Sequence, residues 1–232
     1  MGEEPLSKEK LMRAIIIAIK TWDDHGKYLP LKKETSDKKN EFKKWFDKFV
    51  TQWQVARTLS GKFTDKKRTI INPKRTELEA YLIDYIKIIH NKPQPCQVHD
   101  LSQYIAKMKW SSTKKGKAEH NQVISFASKF AFFINPEVFA PYDRFCVAGL
   151  KKLDKETKPK NIIIYSSYVN YMKSFDGYYY KYSKQIKNAC EQLHIAKLID
   201  DLGLEKTLND TAAFQRKVFD NILMGLGKRS GY

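Results

Sequence analysis

Large apolar residues recur at intervals of three and four along most of this chain, which is the period of an α-helix. The clearest case is residues 120–134, where apolar positions cover more than one side of the helix and predict that it is mostly buried. Asn135 and Pro136 end this helix, because the residue before a proline is pushed out of the helical region of backbone space. Other segments with this period predict helices at about residues 7–22, 38–60, 73–89, 100–108, 142–153, 161–175, 178–193 and 210–225.

These patterns predict an all-α fold of about eight to ten helices. Alternation of apolar and polar residues, which marks a strand, never extends beyond about four residues except near residues 162–164. No segment repeats, and 232 residues suit one large domain or two small helical lobes. We expect one compact unit, within which residues 1–22 with 154–232 and residues 23–153 can form two lobes.

A proline-bracketed turn after the buried helix delivers Asp143 to the start of the next helix. Pro141 fixes the entry to that helix, which opens on Tyr142, Asp143 and Arg144. The carboxylate of Asp143 can cap backbone N–H groups there and meet the positive end of the helix dipole. Alternatively, it can be presented to a ligand in an adjoining cleft. Capping is the more common role of an aspartate in such a turn.

The chain has 43 Lys and Arg residues against 26 Asp and Glu residues, a formal charge of +17 that is spread along its length. This charge favours a polyanionic partner, and nucleic acid first. A lysine-rich solvated surface and an anionic membrane are the alternatives. The strongest apolar run near the N-terminus, residues 14–19, is too short to cross a bilayer and follows two acidic residues. We therefore expect no signal peptide, no membrane span and a cytoplasmic location.

Several kinds of catalytic site are disfavoured by the sequence. Cys96, Cys146 and Cys190 lie far apart with no histidine at ligand spacing, so neither a disulfide framework nor a metal site is expected. The glycine-rich phosphate loops, the zinc-protease motif and the nucleophile motif of α/β-hydrolases do not occur. We expect neither a metal nor a cofactor.

Two stretches have the composition of nucleic-acid contacts. The loop at residues 111–120 carries Lys114, Lys115 and Lys117, which together with backbone N–H groups can hold a phosphate, or can simply be solvated. The four tyrosines within residues 178–182, flanked by lysines, suit a surface on which bases stack, but a helix half buried by its tyrosines has the same pattern. The aromatic stripe at residues 42–53 is more typical of a core.

The stretch VISFASKFAFFINPEVFAPYDRFCVAGL, residues 123–150, resembles the core of the helix-hairpin-helix DNA glycosylase superfamily. In that core a hairpin leads into a buried helix, a short extended stretch follows, and an aspartate opens the next helix. Ser125, Phe126 and Ala127 stand at the position of the family's Lys/Ser-Thr-Ala motif, and Asp143 stands at the position of its aspartate.

The resemblance implies a two-lobed all-α fold with DNA bound in the cleft between the lobes. It implies that Asp143 is the catalytic carboxylate. It also implies that Ser125 stands where bifunctional members carry a Schiff-base lysine, which suits a monofunctional enzyme. The family's hairpin glycines, whose backbone N–H groups hold a DNA phosphate, are absent from residues 121–123. Either the basic loop at residues 114–117 replaces them or the resemblance is superficial.

Cleavage of an N-glycosidic bond passes through an oxocarbenium-like sugar, which needs a nearby negative charge and a positioned water. Asp143 would supply the charge and orient or deprotonate the water. The target base must first leave the stack and enter an aromatic-lined pocket. The expected pocket residues are Ser125, Phe126, Lys129, Phe130, Tyr142 and Trp110. The residues expected to contact the nucleic acid are Lys114, Lys115, Lys117, Asn121 and Arg144.

The sequence favours a monomeric protein that binds double-stranded DNA with a flipped base. We expect a monofunctional DNA glycosylase that removes a damaged or modified base, in repair or in defence against phage. A non-catalytic nucleic-acid-binding protein with a basic helical surface is the alternative, and an interaction protein whose charge serves docking is a third hypothesis. The identity of the base, and the choice between DNA and RNA, do not follow from the sequence.

Overall fold

The computed structural model describes residues 6–26, 39–52, 73–108, 120–157, 167–192 and 212–228. Within these ranges the chain forms eight α-helices and no strand, which confirms the predicted all-α class. In chain order the helices are α1 Lys8–Gly26, α2 Lys39–Gln52, α3 Pro73–Asn91, α4 Cys96–Lys107, α5 His120–Ile134, α6 Arg144–Thr157, α7 Tyr168–Gln192 and α8 Ala212–Gly227. No helix in the described ranges combines the length and the apolar character needed to cross a membrane.

The chain folds as two compact units. The terminal unit combines both ends of the chain, Met1–Lys27 and Ala140–Tyr232, and the middle unit is Tyr28–Phe139. Helices α1, α6, α7 and α8 belong to the terminal unit, and α2 to α5 belong to the middle unit. The chain therefore passes from the middle unit to the terminal unit just before Asp143. The lobe boundary expected at residues 153 and 154 lies inside α6.

Helix α8 is the centre of the terminal unit, where it packs against α1, α6 and α7. Its buried apolar residues include Phe214, Val218, Phe219, Ile222 and Leu223. Glycines allow α6 and α8 to approach closely, since a Cβ added at Gly149 would overlap the backbone of Leu223 and one added at Gly227 would overlap the backbone of Phe145. The start of α6 is thus held against α8 at backbone contact.

Replacing Gly149 with alanine is expected to lower the free energy of unfolding by about 1–3 kcal/mol or more, because neither backbone can yield without separating the two helices. Gly177→Ala is the matched control. A Cβ at Gly177 meets nothing within 4 Å, so alanine is expected to stabilise α7 by about 0.5–1 kcal/mol. Urea denaturation measures both changes, and two variants of equal stability would contradict the close crossing of α6 and α8.

The middle unit has an aromatic core between α2 and α5. Trp45 and Phe49 on α2 meet Phe130 and Phe133 on α5 edge to face, at ring-centroid distances from 5.4 to 5.8 Å. Such pairs add about 0.5–1.5 kcal/mol each beyond the burial of apolar area. The core interpretation of the aromatic stripe is confirmed for the buried residues Phe42, Trp45, Phe46 and Phe49. Its last aromatic residue, Trp53, lies outside the described ranges.

Helix α7 runs without a break through Asp176 and Gly177, where the sequence predicts a boundary between two helices. That prediction is wrong because α7 is buried on both sides of the glycine. Phe175 and Tyr182 both contact Phe219 on α8, at 5.0 and 6.3 Å between ring centroids. This packing outweighs the cost of about 1 kcal/mol for a glycine inside a helix. The predicted part before residue 167 lies outside the described ranges.

Two other helix boundaries differ from the expectation. Helix α6 continues to Thr157, beyond its predicted end near residue 153, because Asp154 is buried and accepts a hydrogen bond from the hydroxyl of Tyr178 at 2.9 Å. Helix α4 begins at Cys96 with Pro95 at its N-cap, so Asp100, where the predicted helix starts, lies inside the helix. Both differences arise from contacts or backbone geometry that local composition does not report.

Candidate functional site

Asp143 stands immediately before α6 and caps it. Its carboxylate oxygen Oδ1 accepts a hydrogen bond from the backbone N–H of Phe145 at 2.8 Å. Its backbone C=O accepts a hydrogen bond from the N–H of Val147 at 3.0 Å. The first N–H groups of a helix have no partner within the helix, and this side chain supplies one. The capping interpretation of Asp143 is therefore confirmed.

The cap engages only one oxygen of this carboxylate. Asp143 is half-buried, and within the described residues its second oxygen, Oδ2, has no hydrogen-bond partner. The carboxylate also lies at the positive end of the α6 dipole, which stabilises a negative charge at this place. One oxygen can thus hold the helix while the other accepts a hydrogen bond from a water or a ligand.

Two buried tyrosines of α7 fix the extended segment that leads to Asp143. The hydroxyl of Tyr168 donates to the C=O of Ala140 at 2.7 Å and accepts from the N–H of Ala140 at 3.1 Å. The hydroxyl of Tyr171 donates to the C=O of Pro141 at 2.8 Å. Backbone groups that are buried outside helices and strands need such partners, because an unpaired one costs about 1–3 kcal/mol. The chain before Asp143 is therefore held in one conformation.

A buried ion pair on α8, between Lys217 and Asp220, contacts the first turn of α6 through Cys146. The Nζ of Lys217 lies 2.5 Å from Oδ2 of Asp220, and the two residues are 4% and 1% exposed. The other oxygen of Asp220 accepts the S–H of Cys146, with 3.0 Å between the heavy atoms. Because Cys146 lies one helical turn after Asp143, this pair fixes the end of α6 that Asp143 caps.

Tyr168, Tyr171, Cys146, Lys217 and Asp220 together form the network that holds Asp143 and the first turn of α6. Burial determines whether the thiol and the two phenols of this network are protonated. Complete burial, followed by the negative charge of Asp220, raises the pKa of the Cys146 thiol well above its ordinary value. Burial likewise raises the pKa of Tyr168 and Tyr171. All three groups stay protonated at neutral pH and act as hydrogen-bond donors. Cys146 is therefore not a nucleophile, since nucleophilic attack requires the thiolate.

Tyr142 and Arg144, the predicted site residues on either side of Asp143, differ in exposure. The ring of Tyr142 is buried and meets the ring of Tyr171 edge to face, at 5.1 Å between centroids. This burial raises the pKa of Tyr142. Arg144 is exposed, and its guanidinium lies 4.6 Å from the centroid of the Phe145 ring. Arg144 thus presents a positive charge to solvent next to the carboxylate of Asp143.

Four predicted pocket residues lie on α5 in the middle unit. Phe126 and Phe130 are completely buried among the rings of α2, so a base could reach them only if that core changed its packing. Ser125 and Lys129 are half-buried one turn apart on the same helix. Asn121 lies in the first turn of α5, but its side chain is not among those described. Trp110, Lys114, Lys115 and Lys117 lie outside the described ranges.

Sequence reasoning missed four residues of the network: Tyr168, Tyr171, Lys217 and Asp220. A signal for them was present. Tyr168 and Tyr171 stand three residues apart on one helix face. Lys217 and Asp220 stand three apart on α8, which is apolar at most of its other positions. A charged pair on a buried helix face indicates a specific internal partner. The identity of that partner, Cys146, depended on the fold.

The geometry around Asp143 suits electrostatic and proton-transfer chemistry by a fixed carboxylate. Among the described residues, no three histidine, cysteine, aspartate or glutamate side chains cluster in a way that could hold a metal ion. Comparisons with protein-family models, with curated proteins and with solved structures find no match for this chain.

Proposed function

We propose that this chain is a DNA-binding enzyme that hydrolyses the N-glycosidic bond of a damaged or modified nucleotide, with Asp143 as its catalytic carboxylate. The observation that carries the proposal is the way in which Asp143 is held. Tyrosine hydroxyls bond the residues before it, and its own Oδ1 bonds the helix after it. A catalytic group benefits from such support, because a displaced group loses much of its effect.

The chemistry requires a negative charge near a sugar that becomes positive. As the bond between sugar and base breaks, the base would leave with the bonding electron pair and take up a proton from solvent, while Oδ2 of Asp143 would stabilise the positive charge that develops on the sugar. The same oxygen would orient the attacking water and accept its proton. The target base must leave the helical stack before the carboxylate can reach its sugar.

The charge of the chain supports a nucleic acid as the partner. At +17, the protein attracts a polyanion over long range. We propose that Arg144 contacts a phosphate close to Asp143. Contacts of the lysines Lys114, Lys115 and Lys117 and of Asn121 with the nucleic acid stay predictions from the sequence. Neutralising about six phosphates would give a slope near −5 when the logarithm of affinity is plotted against that of salt concentration.

A non-catalytic nucleic-acid-binding protein is the second candidate function. The observation that favours it is the cap itself, since a hydrogen bond to the N–H of Phe145 is a sufficient structural use of Asp143. In that case the same basic surface would bind DNA, and the fixed carboxylate would serve only to start α6.

A survey of base release tests the proposal. The protein is incubated with duplex DNAs that carry uracil, alkylated or oxidised bases, or hypermodified phage bases, and free base and alkali-labile abasic sites are measured. We expect release from at least one of these DNAs, and release at least about 100-fold slower in parallel reactions with Asp143→Asn. Tight, salt-sensitive binding without release from any substrate would instead support the non-catalytic function. Release by the variant at the wild-type rate would indicate that another group is catalytic.

A further inference from the structure

Tyr180 is the one tyrosine of the cluster at residues 178–182 that faces solvent. Its side chain is 84% exposed. The other three contribute to the fold: Tyr178 donates to Asp154 at 2.9 Å, Tyr179 lies under the guanidinium of Arg216, and Tyr182 is buried. Three tyrosines of the cluster thus fit the interpretation as a half-buried helix, and only Tyr180 is left for the interpretation as a base-stacking surface. Because an exposed aromatic ring contributes little to stability, Tyr180 is available for a partner.

Exposed lysines lie on the same face of α7 as Tyr180. Lys173, Lys184 and Lys187 are exposed and stand seven residues before, four after and seven after the tyrosine, which is helical spacing along one face. We call Lys173, Tyr180, Lys184 and Lys187 the α7 strip. The buried residues Tyr168, Tyr171, Phe175, Tyr182 and Ile186 lie on the opposite side of the helix.

The acidic residues on this face leave the α7 strip positive. Asp176 binds the guanidinium of Arg216 at 2.7 Å, so its charge is offset from within the terminal unit. Glu191 lies 3.9 Å from the Nζ of Lys187, but both side chains are more than half exposed, and such a pair is weak in water. The middle of the strip, around Tyr180 and Lys184, therefore combines an open aromatic ring with positive charge.

We propose that the α7 strip binds single-stranded nucleic acid, with one base stacked on the ring of Tyr180 and neighbouring phosphates at Lys184 and Lys187. Every base has a face that can stack, and lysines next to an aromatic ring hold the backbone without selecting a sequence. Along the helix, Tyr180 and Lys187 are about 10 Å apart, so a strand stacked on Tyr180 can also reach Lys187 with a nearby phosphate. An acidic protein would match the lysines but gives no reason for the exposed ring.

This binding surface goes beyond base hydrolysis and does not depend on it. Among the described residues, no hydrogen bond or ion pair joins a residue of the α7 strip to Asp143 or to the side chains that hold it. The strip would serve a strand that is already unpaired, whereas the proposed reaction at Asp143 starts from duplex DNA. The two proposals therefore fail separately, because oligonucleotide affinity tests the first and base release tests the second.

Fluorescence anisotropy with a labelled thymidine oligonucleotide of about 20 nucleotides tests the α7 strip, since this length exceeds a typical single-strand site. Tyr180→Ala is expected to bind it about 5- to 150-fold more weakly, the range for one stacked base. Tyr180→Phe keeps the ring and is expected to bind like the wild type. Equal affinity of Tyr180→Ala and the wild type would overturn the proposal, as would the absence of binding by the wild type.

Two double variants show whether binding depends on the lysines of the α7 strip or only on the net positive charge of the protein. The slope of log affinity for the oligonucleotide against log salt concentration measures the number of phosphate contacts. Lys184→Glu with Lys187→Glu is expected to reduce the magnitude of this slope by about 1.4, because two contacts with single-strand phosphates are lost. The control, Lys151→Glu with Lys152→Glu, changes the same charge at exposed positions of α6 and is expected to leave the slope within about 0.5 of the wild type. Equal losses in both pairs would overturn the proposal. Polyglutamate or phosphatidylserine vesicles that bind with the same dependence on Tyr180 would do so too.

Discussion

Replacement of Lys217 by alanine is expected to lower the free energy of unfolding by about 3–5 kcal/mol. The substitution would leave the carboxylate of Asp220, which is 1% exposed, without the ammonium group that lies 2.5 Å from it. The same carboxylate accepts the S–H of Cys146, so the start of α6 would lose support as well. Urea denaturation followed by circular dichroism measures the loss.

Two controls show whether the loss comes from an unpaired buried charge. Lys217→Met combined with Asp220→Leu removes both charges at similar volume, and is expected to recover most of the lost stability. Lys187→Ala removes a lysine whose ion pair is solvent-exposed, and is expected to change stability by less than about 1 kcal/mol. If Lys217→Ala behaved like Lys187→Ala, the pair on α8 would not be buried in solution.

Asp143→Asn is expected to reduce base release by at least about 100-fold while leaving the fold intact. Asparagine caps a helix about as well as aspartate, so its side-chain oxygen can still accept the hydrogen bond from the N–H of Phe145. It carries no negative charge, however, and cannot take a proton from water. The variant thus removes the proposed chemistry and keeps the structural role, and quantification of free base at matched protein concentrations measures the effect.

Asp143→Ala serves as the control for the structural role. Alanine removes both the charge and the cap, and is expected to cost about 0.5–2 kcal/mol of stability in addition to the loss of release. A different pattern, in which Asp143→Asn unfolds as readily as Asp143→Ala, would mean that the hydrogen bond to Phe145 depends on the charge. Loss of release in that variant could then be due to unfolding.

The local features of this fold could be predicted from the sequence. Helix α5 begins and ends where its apolar pattern and the Asn135-Pro136 pair predict. The cap by Asp143 follows from a proline-containing turn that precedes a helix. In each case the determining interaction lies within a few residues along the chain, so composition and spacing report it directly.

Features that depend on distant residues could not be predicted in the same way. The continuity of α7 through Gly177 depends on Phe175 and Tyr182 packing on Phe219, and the burial of Asp154 depends on Tyr178. Local propensity favours a break or a linker at both places, but tertiary packing outweighs it. Spacing within one helix cannot show what the opposite helix supplies.

The candidate site also combines features that the local sequence predicts with features that depend on distant residues. The proline-containing turn predicts that Asp143 stands at the start of a helix. The hydroxyls that hold residues 140 and 141 come from Tyr168 and Tyr171 on α7, which are distant in sequence. Cys146 and Asp220 are separated by 74 residues in sequence, so their hydrogen bond exists only once α6 and α8 have packed. A tyrosine or lysine that supports a site from another helix resembles an ordinary core or surface residue until the fold is known.

The most direct test of base hydrolysis by Asp143 is a single-turnover release measurement, with protein in excess over a modified duplex and DNA affinity determined on the same samples. We expect release by the wild type, at least about 100-fold slower release by Asp143→Asn, and affinities that agree within about threefold. Equal release rates for the two proteins, or no release by either despite tight binding, would contradict a catalytic role for Asp143 and leave it as the cap of α6.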